Sequence, residues 1–185
     1  MPMITEANKQ DGSQIIQLTA AAGVFNPGEV ACVQELWDAY LRQGEASGYV
    51  FLVYKNGFGE VSDQGRLLGY ACFGPHPLAE GIFDLYWIAV DPRAREQGVG
   101  GALLSRVEEE GRVRGGRMVL VETSGTPAYT PARRFYESCG YRYEAVIHDF
   151  YAPGDDLIIF GKFLPPGSAD VPVVAVEMTP TSTLV

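Results

Sequence analysis

The chain has few of the residues that hold metals or form disulfides: 3 cysteines and 2 histidines in 185 residues. Cys32, Cys72 and Cys139 are odd in number and far apart, and no pair has metal-ligand or redox spacing. Reduced, mostly buried thiols are expected. His76 and His148 form no cluster with them, so no metal site is expected. His76 lies in Gly74-Pro75-His76-Pro77, a turn in which a histidine is more often structural or solvated than part of a substrate site. Long apolar runs are also missing. None approaches the roughly 20 residues of a membrane-spanning helix, so no membrane partner is expected. Residues 1–12 lack a basic region followed by an apolar stretch, so they do not read as a secretory signal, and a cytoplasmic location is expected. Basic residues are scarce too: 14 Lys and Arg stand against 23 Asp and Glu, a formal net charge of −9. That balance argues against a nucleic-acid partner, which normally meets a basic face. It suits a cationic substrate such as an amine. An anionic ligand would need a local site that overrides the acidic whole.

What is present is an ordinary globular composition, 46% hydrophobic and 20% charged, at a length that suits one domain. Residues 1–12 are polar and read as a flexible N-terminus. Ile15-Ile16-Gln17-Leu18 reads as a first strand. A helix over 28–43 follows, with Asn26 as N-cap and Pro27 in its first turn. Tyr49–Tyr54 and Arg66–Phe73 are β-branched or aromatic runs that read as strands joined by a long hairpin loop. A further strand spans 82–90 and stops at Asp91-Pro92. Helical periodicity returns from Gly98, with Val99, Leu103 and Val107 on one face and Gly115-Gly116 closing the helix. Met118–Val121 reads as a short buried strand. Thr130-Pro131 opens another helix, with Thr130 as its N-cap. Tyr141–Tyr151 and Leu157–Leu164 read as two strands joined by a Pro153-Gly154 turn. The order β-α-β-β-β-α-β-α-β-β implies a mixed-sheet α/β (α+β) domain over 13–164, with a right-handed crossover and a parallel pair around 82–121. Residues 165–185 read as a tail, with one added strand possible at 171–176.

The stretch that carries chemistry is Ile88 to Leu104. Gly98, Gly100 and Gly101 crowd the first turns of a helix, where each glycine costs about 1 kcal/mol relative to alanine. Glycine lets a ligand or a neighbouring backbone approach closely. A helix N-terminus offers unpaired N–H groups and partial positive charge to a phosphate, and Arg93 and Arg95 lie beside it. A tight helix–sheet contact without a ligand would explain the glycines equally simply. Two phosphate motifs are excluded. The dinucleotide fingerprint fails because Leu103 stands where a third small residue is needed, and the P-loop Gly-Lys-Ser/Thr is absent.

Arg95-x-x-Gly98-x-Gly100, after the strand ending at Val90, resembles the acyl-CoA signature of the GNAT superfamily of N-acetyltransferases. Ala132-Arg133-Arg134-Phe135-Tyr136-Glu137-Ser138-Cys139-Gly140-Tyr141 resembles that family's second region. The resemblance implies a single-domain GNAT-like fold: a central mixed, mostly antiparallel sheet with a splayed parallel pair, flanked by helices. It implies that backbone N–H groups of Arg95, Glu96, Gln97, Gly98, Val99, Gly100 and Gly101 bind the pyrophosphate of acetyl-CoA. Ile88, Ala89 and Val90 would meet the pantetheine arm, and Thr126 and Arg133 would belong to the same cofactor site. Tyr136 would be the general acid that protonates the leaving thiolate; a phenol near its usual pKa of about 10 is protonated at neutral pH. An aromatic at helical spacing is otherwise a core residue. The attacking amine must lose a proton, and Asp84 and Glu122 are the candidate bases, with Asp84 ranked first. Asp155-Asp156 reads as a polar turn, with attraction of a cationic substrate as the alternative. Many family members have glycine where this chain has Glu96, and an asparagine after the strand 118–121 where it offers Ser124 and Thr126. The implied activity is direct transfer of an acetyl group from acetyl-CoA to a primary amine of a small, cationic molecule. Protein N-termini or lysines, and acyl-CoA binding without turnover, are the alternatives. A homodimer is possible.

Overall fold

The computed structural model describes residues 3–57 and 65–166. The elements run β1 (Met3–Glu6), α1 (Gly12–Ala21), α2 (Pro27–Gln43), β2 (Val50–Lys55), β3 (Leu67–Pro75), β4 (Ile82–Val90), α3 (Val99–Val113), β5 (Met118–Ser124), α4 (Thr130–Ser138), β6 (Arg142–Ala152) and β7 (Asp155–Phe163). The sheet order is β1-β2-β3-β4-β5-β7-β6. All neighbours pair antiparallel except β4 and β5, which are parallel. The mixed sheet, the parallel pair and the flanking helices agree with the sequence reading. The expected tail strand at 171–176, and most of the loop between β2 and β3, lie outside the described residues.

Three expectations are corrected. Residues 1–12 are not a free end: Met3–Glu6 pairs with β2, Met3 opposite Lys55 and Glu6 opposite Leu52. This strand covers the edge of β2, whose residues Val50–Val53 are buried and would otherwise leave a bare ladder. Ile15–Leu18 is helical, not a strand. Ile15, Leu18 and Thr19 are buried and Ile16 is not, which is a helical period that a four-residue apolar run hides. Thr130 is the first residue of α4 and not its cap; its hydroxyl instead accepts a hydrogen bond from Arg133 Nη2 at 2.9 Å. The α2 start is as read, and stronger. Asn26 Oδ1 accepts from Glu29 N–H (3.0 Å) and Glu29 Oε2 accepts from Asn26 N–H (2.7 Å), a reciprocal capping box.

Two cores form, one on each sheet face. Phe83, Leu85, Val119, Val121 and Phe160 pack with Leu103, Leu104 and Val107 of α3 and Tyr136 of α4. On the other face Phe51, Val53, Tyr70 and Ala89 pack with Ile15 of α1 and with Val33 and Trp37 of α2. The β4–β5 ladder holds only from Ile82↔Met118 to Leu85↔Val121. Beyond that point each strand keeps just its antiparallel neighbour, so the sheet splits. A bulge marks the same place: Cys72 faces Trp87 and Phe73 faces Leu85, which leaves Tyr86 as the extra residue of β4.

Candidate active site

One side of the split begins at Asp91. Its buried side chain accepts from Arg93 N–H (2.9 Å), which starts the short 3-10 turn Pro92–Ala94, and it is ion-paired to both Arg66 and Arg93. Arg95 Nη2 donates to Ala22 O (2.8 Å) at the end of α1. Arg93 is thus paired with Asp91 although its side chain stays exposed, and Arg95, bonded only to a carbonyl, keeps its charge beside the glycine turn. The backbone adds its own attraction for an anion. Gly98 has φ 78° and Glu96 has φ 65°, left-handed conformations that swing the chain into α3. The first helical hydrogen bond runs from Ala102 N–H to Gly98 O (2.9 Å), so the N–H groups of Val99, Gly100 and Gly101 have no partner within the helix.

The three glycines differ in purpose. A side chain at Gly98 or Gly101 would meet nothing within 4 Å, so both border open space that a pyrophosphate could fill. A Cβ at Gly100 would lie 3.2 Å from Phe135 Cζ and 3.6 Å from Val90 Cγ2. Gly100 thus serves the close helix contact, the plainer of the two readings of these glycines, while its neighbours keep the ligand reading. The contact also joins the two sequence motifs in space. Ile88 and Val90 pack against the α3–α4 core and Ala89 is buried on the other face. All three lie where β4 has lost β5 as a neighbour. Glu96 and Gln97 are exposed, and Gln97 Nε2 donates to Arg93 O (3.1 Å).

Tyr136 follows Phe135 into the same core, 6% exposed, among Phe135, Tyr141 and Phe160. Its hydroxyl makes no hydrogen bond to any described residue. Burial pushes its pKa well above the usual tyrosine value, with a smaller push from Cys139. It is a protonated donor without an acceptor among the described residues. Arg133 has several partners within the protein. Its guanidinium donates to Ser124 O (2.6 Å), Thr126 O (2.9 Å) and Thr130 Oγ1, clamping the loop after β5. Ser124 Oγ bonds Thr126 Oγ1 (2.8 Å) and Asp155 Oδ1 (2.6 Å) in the same loop.

The other end of the split is acidic. Phe83 and Leu85, and Val119 and Val121, point into the α3–α4 core. By strand alternation Asp84 and Glu122 leave the opposite face. Asp84 Oδ2 lies 2.8 Å from His76 Nδ1. The Glu122 pKa is raised, first by desolvation and then by Asp84, and His76 pulls it partly back, so the three groups share one local field. Burial and then Asp84 push the Tyr86 phenol up to about 12, and Tyr86 meets Tyr49 edge to face at 5.3 Å.

Sequence reasoning missed Glu29, Tyr129 and Tyr151. Tyr129 hydroxyl donates to Glu29 Oε1 (3.0 Å), tying the start of α2 to the turn after β5. Burial raises the Tyr151 pKa, with further contributions from Glu122, Asp155 and Glu29. Nothing local marks these residues; they meet only through the fold. Asp155 belongs to this side, whereas Asp156 serves the hairpin, accepting from Asp149 N–H and pairing with His148. Among the described residues no group of three or more His, Cys, Asp or Glu could hold a metal, and no helix is long and apolar enough to cross a membrane.

The split parallel pair has a glycine-led helix start on one side and an acidic, aromatic mouth on the other. Comparison with known proteins gives its class as an acetyltransferase. The acetyltransferase (GNAT) family model matches residues 19–141, and the chain belongs to this family. It is similar to a GNAT-family protein of known structure from Desulfovibrio desulfuricans, at 39% identity over 89% of this chain and 100% of that one, with a TM-score of 0.83. It shares its fold with the ribosomal-protein-S18-alanine N-acetyltransferase of Escherichia coli, at 21% identity over 92% of this chain and 99% of that one, TM-score 0.70. It also shares it with an aminoglycoside 6'-N-acetyltransferase complexed with coenzyme A, at 17% identity over 89% and 98%, TM-score 0.67. No curated protein matches the chain.

Proposed function

We propose that this acetyltransferase moves an acetyl group from acetyl-CoA to a primary amine of a small, cationic molecule, by direct attack with both substrates bound. The observation that carries the reading is the split itself. It joins the face that holds Tyr136 and the α3 start to the face that holds Asp84 and Glu122. Acetyl-CoA supplies a thioester carbonyl. The N–H groups of Val99, Gly100 and Gly101 suit its pyrophosphate, and the β4 edge past Leu85 suits its amide-bearing arm. Tyr136, protonated at neutral pH, would donate a proton to the departing thiolate. Asp84, Glu122 and Asp155 draw an ammonium group to the opposite mouth, in an otherwise acidic protein. The Tyr129–Glu29 tie across that mouth supports a small acceptor over a polypeptide.

The test is thiol release from acetyl-CoA with a panel of polyamines, aminoglycosides, amino acids and peptides. Tyr136→Phe should lower kcat by about 100-fold or more while leaving acetyl-CoA binding, read as a thermal shift, unchanged. Release with peptides alone would favour a protein acceptor. Binding without release from any amine would favour an acyl-CoA-binding module.

A further inference from the structure

We propose that His76 is the base that takes the acceptor's proton, with Asp84 holding the imidazole in place; this rests on the acyl-transfer reading above. His76 Nδ1 lies 2.8 Å from Asp84 Oδ2. A carboxylate there keeps the proton on Nδ1, fixes the ring and leaves Nε2 as an acceptor. Nε2 has no hydrogen-bond partner among the described residues. The backbone places the ring independently of its chemistry. His76 N–H donates to Ile82 O (2.8 Å), closing the turn between β3 and β4, and Asp84 stands two residues further on, opposite Gly74. The His76 side chain is 38% exposed and that of Asp84 20%, so the imidazole stands between a half-buried carboxylate and water, a position from which a proton can leave.

The charged groups around the pair are accounted for. Glu122 on β5 shares its field, and Tyr86 on β4 senses Asp84. Glu80 and Arg117 occupy the far end of the same turn, where Arg117 Nε donates to Glu80 O (3.0 Å). Asp84 is committed to the imidazole, which makes it an orienting group and not the base. An imidazole's ordinary value of about 6.5 is also nearer that of an alkylammonium, near 10, than a carboxylate's at about 4.

The step balances. The acceptor R–NH3+ gives a proton to His76 Nε2 and keeps the electron pair. That pair forms the N–C bond to the acetyl carbon, the C–S bond breaks with its pair on sulfur, the thiolate takes the Tyr136 proton, and the nitrogen releases its second proton to water as the amide forms. The imidazolium releases its proton to water and Tyr136 is reprotonated from solvent. Amide, thiol and one proton result.

The experiment is kcat/KM against pH for the full chain with acetyl-CoA and an amine accepted by the wild type. The wild type should show a rising limb that lies below the amine's own pKa. H76N should lose about 100-fold in kcat and its limb should move to the amine's own pKa, with KM for acetyl-CoA unchanged. Free imidazole should restore part of the rate of H76A. D84N should lose less than H76N, since the imidazole remains but loses the carboxylate that orients it. An unchanged acetyl-CoA thermal shift identifies variants that remain folded. Wild-type kcat and pH profile in H76N would overturn the proposal, as would a loss with no change in profile and no rescue by imidazole. If the wild type acetylates no amine, the acyl-transfer reading falls and this proposal with it; if it is active and H76N follows it, only the proposal falls.

Discussion

Glu96 occupies a left-handed backbone position, φ 65°, in the turn that leads into α3. A side chain there costs about 1 kcal/mol against glycine. Glu96→Gly should therefore raise the unfolding midpoint and leave the acetyl-CoA-induced shift intact or larger, since the change also removes a carboxylate beside an anion site. Chemical denaturation with and without acetyl-CoA measures both. Glu122 carries the opposite kind of burden. Desolvation and Asp84 raise its folded-state pKa above the unfolded value. Such a group favours the fold only in acid, and that contribution is lost as pH rises through the folded value. Glu122→Gln should thus stabilise the protein at pH 7 and weaken acceptor binding, with the gain in stability vanishing below about pH 4, where Glu and Gln are both neutral. Melting curves across pH and the acceptor KM decide it. At this scale the sequence was informative where a motif spoke for a residue, as with Gly98 at the start of α3. It was silent on what Arg93, Arg95 and Arg133 bind, because a long cationic side chain chooses its partner from whatever the fold brings near.

Among the elements, α2 is the one whose start was fully readable, and its cap has a second task. Glu29 closes the capping box through Oε2 and accepts from Tyr129 through Oε1. Asn26→Ala should cost about 1 kcal/mol in urea unfolding, and loosening Glu29 should raise the acceptor KM more than that for acetyl-CoA. Initial-rate kinetics varying each substrate separates the two. Equal changes in both, or none, would remove Glu29 from the acceptor side. Helix α1 shows the limit of periodicity. Ile15-Ile16-Gln17-Leu18 has too few residues to choose between a period of 2 and one of 3.6, and the choice is made by burial of Ile15, Leu18 and Thr19 against the sheet. Helix α3 was readable because its apolar face repeats over fifteen residues.

For the whole molecule, the split between β4 and β5 leaves strand edges and helix N–H groups that a ligand can satisfy. Acetyl-CoA at about 100 times its Kd should add about 2.7 kcal/mol to the stability of the fold, and Tyr136→Phe should retain that gain. Hydrogen exchange should slow most in residues 86–90 and at the start of α3. Protection confined to other segments would place the donor elsewhere.

Local rules settled much of this protein from the sequence alone: the order of most strands and helices, the glycine-rich start of α3, the capped start of α2, and the two motifs that carry the family resemblance. Each depends on residues a few positions apart, where sterics, hydrogen-bonding reach and period act directly. The tertiary structure alone decided that β1 covers the sheet edge, that Gly100 meets Phe135, that Arg95 ties to α1, and that His76 meets Asp84. It also brought Glu29, Tyr129 and Tyr151 to one acidic mouth. Those contacts join residues eight to more than a hundred positions apart. They exist because a twisted sheet with one parallel pair must open where its ladder ends, and only the packed helices determine which side chains line the opening.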